Sequence, residues 1–178
     1  MTNYYDVARM ANTMAMKTTI VLDPTQITVR VKNSIKKQLR SGFITTGYRS
    51  HAAKIAEAIT QKFELPVMRV WWRGTQVHNP SMETRQFLLG LLEADWAAEL
   101  LERPYLASNK YYRERYDETV AHLRGSTASF HITFNDRHYA EQARNYLSQC
   151  MTAAAREKIE KALDVLDGTE LIHITTYN

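Results

Sequence analysis

At 178 residues, with 44% hydrophobic and 24% charged side chains, the chain has the composition of a globular protein rather than a disordered or fibrous one. A formal charge of +4 permits a nucleic-acid partner without demanding one. The single cysteine, Cys150, excludes an internal disulfide framework and a cysteine-rich zinc cluster, fits a reducing cytoplasm, and no apolar run approaches a membrane span.

Residues 1–16 lack the basic end and long apolar run of a secretory signal and are expected to form an arm or short helix, with Tyr4, Tyr5 and Met10 able to dock. Thr18 to Leu22 reads as a strand and Asp23-Pro24 as a turn. From Gln26 to Val31, apolar and polar residues alternate with the period of a half-buried strand. Ile27, Val29 and Val31 share one face; Gln26, Thr28 and Arg30 share the other. Such a strand can pair elsewhere, or it can return on Thr18–Leu22 as a hairpin whose polar side meets solvent. Asn33-Ser34 offers a cap for a short basic helix with Ile35 and Leu39 inside and Lys36, Lys37 and Arg40 outside, ended by Ser41-Gly42. After a link ending in Gly47-Tyr48-Arg49, Ser50 caps a second helix with Ala52, Ile55, Ile59 and Phe63 at helical spacing.

This order of strand, helix, turn and helix over residues 26–63 resembles the ribbon-helix-helix family of DNA-binding dimers. The resemblance implies a homodimer whose paired strands lie in the DNA major groove. Gln26, Thr28 and Arg30 would then read base edges, arginine suiting guanine and glutamine adenine. The cap at Ser50 and the amides behind it would hold a phosphate, beside the basic cluster Lys36, Lys37 and Arg40.

Leu65-Pro66 closes the second helix and marks the expected boundary between a module at 17–65 and an α+β domain at 66–178. Val67 to Val77, with Met68, Val70, Trp71 and Trp72, reads as a strand whose adjacent tryptophans point to opposite faces, as packing aromatics or as a base-stacking platform. Ser81 starts the strongest helix, with Phe87, Leu88, Leu91, Leu92, Trp96 and Leu100 along it and Pro104 beyond. Lys110 to Tyr116 interleaves basic and aromatic residues, a mixture suited to nucleic acid and equally to a surface helix with half-buried tyrosines. Ala128 to Phe134 is a strand, Asp136 opens a long helical stretch interrupted near Met151-Thr152, and Glu170 to Tyr177 is the last strand. A connection that long suggests parallel neighbours with a right-handed crossover. The expected fold class is therefore α+β, a small sheet with helices on one face.

His131-Ile132-Thr133 and His173-Ile174-Thr175 repeat one pattern, which resembles the His-x-Thr signature of the two-histidine phosphoesterases. The resemblance implies His131 and His173 as an acid–base pair and Thr133 and Thr175 as phosphate ligands. Strand alternation alone also produces such a pattern. The histidines show no metal-ligand spacing, and no cofactor motif is present. A binding role is expected ahead of an enzymatic one: DNA first, then a protein partner met through Trp71-Trp72 or Tyr111–Tyr116, as in phage-encoded regulatory or accessory proteins.

Overall fold

Asp23 sets the path of the chain beyond the first strand. In the computed structural model, which describes residues 17–45, 50–126 and 128–177, β1 (Lys17–Leu22) runs into a 3-10 turn at Pro24–Gln26. The Asp23 carboxylate accepts from the Thr25 amide at 3.0 Å and the Thr25 hydroxyl at 2.6 Å, while Pro24 brings a preset φ to the first helical position. Thr28 Oγ1 then accepts from the Val31 amide at 3.3 Å and opens α1 (Val29–Ser41). Gln26 to Val31 is thus a turn and the start of a helix. This corrects both the groove-reading ribbon and the hairpin expected there. The physical reason is that Val31, Ile35 and Leu39 repeat every four residues, and burying Ile35 and Leu39 needs only the helical period; Val29, on the expected apolar strand face, is 74% exposed. The cap is Thr28 and not Asn33-Ser34. Gly42 ends α1 at φ +82°, a conformation that L side chains resist.

The described residues group into two units. The first holds β1, α1, α2 (His51–Phe63), α6 (Ala153–Asp167) and β6 (Ile172–Tyr177). Ser50 Oγ accepts from the Ala53 amide at 3.1 Å and caps α2, which buries Ala52, Ile55 and Ile59 as its spacing predicts. β1 and β6 form an antiparallel ribbon with Leu22 opposite Ile172 and Ile20 opposite Ile174. The chain leaves this unit at Ser41–Gly47 and again after Pro66, returning finally at Ala153, so the amino-terminal segment shares its unit with the last helix and strand. The arm at 1–16 and the Gly47-Tyr48-Arg49 link lie outside the described residues.

The second unit is built on a four-stranded sheet of order β2-β3-β4-β5. β2 (Phe43–Thr45) runs parallel to β3 (Met68–Trp71); β3, β4 (Gly74–Val77) and β5 (Phe130–Thr133) are successively antiparallel. Three helices accompany it: α3 (Met82–Glu102), α4 (Lys110–Gly125) and α5 (Arg137–Gln149). Val77, Phe130, Ile132 and Phe134 share one core with Leu88 and Leu92 of α3, Leu123 of α4, and Ala140, Ala143 and Leu147 of α5. All three helices therefore cover one face of the sheet, the α+β layer expected from the sequence.

Two expectations are corrected here. Val67 to Val77 is a tight hairpin rather than one strand, turning at Trp72-Arg73. Arg144 Nη2 holds the turn, 2.5 Å from the Trp71 carbonyl and 3.1 Å from that of Trp72. β5 and β6 are not parallel neighbours, because the helical stretch between them breaks at Cys150–Thr152 and its halves join different units. Cys150 is accordingly the exposed cap at the carboxyl end of α5. No described helix is long and apolar enough to cross a membrane.

Candidate functional site

The uncovered face of the β3-β4-β5 ladder gathers side chains that lie far apart in the chain. Pairing places Gln76 opposite His131, and Trp71 and Thr133 each opposite Gly74. Continuing the register sets Arg69 opposite Gln76 and His78 opposite Ser129, where His78 Nδ1 lies 3.1 Å from Ser129 Oγ. The alternation that sends Phe130, Ile132 and Val77 into the core sends these residues the other way. Gly74 has no Cβ, and a Cβ there would overlap the Trp71 indole. Trp71 therefore lies across β4, with its ring centroid 5.1 Å from that of His131 at an interplanar angle of 34°.

Among the described residues this face carries a guanidinium, two imidazoles, an indole, an amide and two hydroxyls, and no carboxylate. His78 keeps part of its surface in water, yet its imidazole is held below the ordinary 6.5, first by partial burial and then by the charges of Arg69 and His131. Nearby, Arg73 stacks on Trp72 with its guanidinium carbon 3.9 Å from the ring centroid, and Trp72 is 62% exposed.

A separate cleft of about 310 Å³ opens along the outer edge of β5, between that edge and one face of α4. Its walls include Trp96 and Tyr116, whose rings stack at 4.9 Å, and His122, which stacks on Phe130 at 5.3 Å. At one end sits Asp95, buried to 2% exposure, whose two carboxylate oxygens accept from the amides of Asn135 and Asp136 at 2.9 Å each. Burial raises the Asp95 carboxyl above its ordinary value, against the opposing pull of those two hydrogen bonds.

The residues expected to read DNA are not gathered in this way. Gln26 lies in the 3-10 turn, Thr28 caps α1 and Arg30 sits in its first turn, so the three do not line one strand face. Lys36 and Arg40 are engaged within their own unit, Lys36 Nζ with Asp167 at 2.9 Å and Arg40 Nε with Glu160 at 2.6 Å. These pairs hold α1 against α6, and they depress the carboxyls of Glu160 and Asp167 below their ordinary values. Lys37 is exposed on α1, and the Ser50 hydroxyl is occupied as the cap of α2. Of the two His-x-Thr motifs, His131 and Thr133 lie on β5 and His173 on β6, which belong to different sheets; the Thr175 side chain is outside the described part. No sheet presents the two histidines side by side, as the phosphoesterase resemblance implies.

Sequence reasoning missed Arg69, Gln76, His78 and Ser129. The available signal was the alternation Arg69, Trp71 and then Gln76, His78 on either side of Gly74, hidden because Trp72-Arg73 lacks the usual residues of a two-residue turn. Among the described residues, no group of three metal-ligating side chains is gathered. Compared with protein-family models, with curated proteins and with solved structures, the chain matches none.

Proposed function

We propose that the protein binds nucleic acid in single-stranded form, laid across the outer face of β3-β4-β5. The observation that carries this reading is a sheet face whose described side chains are basic, aromatic and hydrogen-bonding, with no acid among them. A polyanion meets no described carboxylate on this face, where His78 and His131 can donate hydrogen bonds to phosphate oxygens. Unstacked bases find the rings of Trp71 and His131, and the amide of Gln76 and the hydroxyls of Ser129 and Thr133 can reach base edges. Three strands span about 10 Å, room for two or three nucleotides. A duplex suits this face less well, since its bases are already stacked on one another and do not offer their faces to Trp71 and His131. The nucleic-acid expectation thus rests on different residues, and on a different mode, from the ribbon suggested by the sequence.

The test is fluorescence anisotropy with unstructured RNA and DNA oligonucleotides at low and moderate salt. Wild-type binding should weaken as salt rises, and Trp71→Ala should cost about tenfold or more, the loss expected for one stacked base. Absence of binding at low salt, or equal binding by wild type, Trp71→Ala and His131→Ala, would refute the proposal.

A further inference from the structure

We infer that the cleft beside β5 accepts an extended peptide segment of another protein, which adds to the sheet as a fifth strand. β5 ends the sheet, so one side of its backbone has no strand partner among the described residues. The direction of its groups is fixed by a hydrogen bond and the strand register. Phe134 N–H donates to the Arg73 carbonyl at 2.7 Å, so Phe134, and by alternation Ile132 and Phe130, point their backbone groups toward β4. His131 and Thr133 therefore point N–H and C=O outward into the cleft that they line. The next outward amide, that of Asn135, is taken by Asp95, which closes this end of the edge. What stays open is an alternating series of two donors and two acceptors at strand spacing.

The opposite wall matches it in length. The α4 residues on the cleft run from Tyr112 to His122, about 15 Å of helix. Phe130 to Asn135 spans a similar distance, about 16 Å of strand. A segment of four to six residues fits between the two walls, with alternate side chains turned toward the Trp96–Tyr116 stack. The same chemistry disfavours nucleic acid in this place. Phosphate oxygens cannot satisfy the outward carbonyls of His131 and Thr133, and on the cleft the Glu118 carboxylate offsets the Arg115 guanidinium. The occupant is therefore a peptide with a large apolar or aromatic residue at every second position. It engages the outward backbone groups of His131 and Thr133 at the sheet edge, whereas the nucleic-acid reading uses their side chains on the sheet face, and so goes beyond that reading.

The probe is an array of synthetic hexapeptides, with Leu, Ile, Val, Phe or Tyr at alternate positions and Thr or Ser between, screened against the full chain. The best binders are remade with alternate backbone nitrogens methylated, which removes strand pairing but keeps the side chains. Array members should bind, one methylated series should lose about tenfold or more, and the amides of His131 and Thr133 should gain exchange protection in the complex. Thr133→Pro should weaken the same peptides, because its outward N–H serves no bond within the sheet. The inference is overturned if no peptide binds more tightly than about 1 mM, or if methylation leaves affinity and the two amides unchanged. It also fails if the amides are already protected by self-association of the chain, or if a single-stranded oligonucleotide protects them in place of peptide.

Discussion

Replacing Asp95 with alanine tests how the second unit holds its edge strand against α3. Asp95 gives one carboxylate oxygen to each of two adjacent amides, Asn135 and Asp136, at the point where β5 ends and α5 begins. Hydrogen bonds to a charged acceptor contribute about 1.5–3 kcal/mol each, so the gross loss is about 3–6 kcal/mol. Part of this is offset because the alanine variant no longer buries a carboxyl, whose raised pKa records that the fold disfavours its ionised form. The net loss is then about 2–3 kcal/mol, equivalent to a fall in Tm of about 5–10 °C for a chain of this length. Calorimetry at neutral pH measures the loss, and hydrogen exchange at Asn135 and Asp136 locates it. The pH dependence has a definite sign. A carboxyl raised above its ordinary 3.8 imposes its cost above the folded pKa and sheds it as pH falls, so the wild type should gain on the alanine variant toward acid pH. A Tm change within about 2 °C, with unaltered exchange at both amides, would refute this account of the edge.

Gly74→Ala places a methyl group where the Trp71 indole lies, so the ring must swing off the sheet. Thermal melts should show a loss of about 1–3 kcal/mol, and the near-ultraviolet circular dichroism should change; an unchanged spectrum would contradict the packing described. The pairs of Arg40 with Glu160 and Lys36 with Asp167 are exposed and contribute little at neutral pH. Both carboxyls are depressed from their ordinary 4.5 and 3.8, chiefly by the hydrogen bond from the partner, so their contribution is full above those values and lost as pH falls through the lowered ones. The double variant Lys36→Ala with Arg40→Ala should therefore show a shallower loss of stability on acidification than the wild type, read by denaturant titrations across that range.

The helices were legible where a cap and an apolar period coincide. Ser50 before Ala52, Ile55 and Ile59, and Ser81 before Leu88 and Leu92, announce α2 and α3, and the structure places both serine hydroxyls on the expected amides. Gln26 to Val31 misled because six residues with apolar groups at every second position fit a strand locally. Val31 also opens the four-residue repeat through Ile35 and Leu39, and the capping side chains of Asp23 and Thr28 select the helix. Strand partnership was not legible at all. Nothing local in Ile172 to Tyr177 specifies β1 as its partner, since the pairing joins opposite ends of the described chain. The sheet face shares this difficulty: His131 was visible as an outward residue, whereas its neighbours Gln76 and His78 depend on a turn stabilised by Arg144 from a helix about seventy residues on.

The most direct measurement of the central claim is a nuclear magnetic resonance titration of the protein with an unstructured single-stranded oligonucleotide. The account predicts that the Trp71 indole and the backbone amides of β3, β4 and β5 shift first and saturate together, while those of α1 and the turn before it, around Gln26, Thr28 and Arg30, stay in place. Shifts confined to α1, or none on the sheet at saturating oligonucleotide, would contradict it.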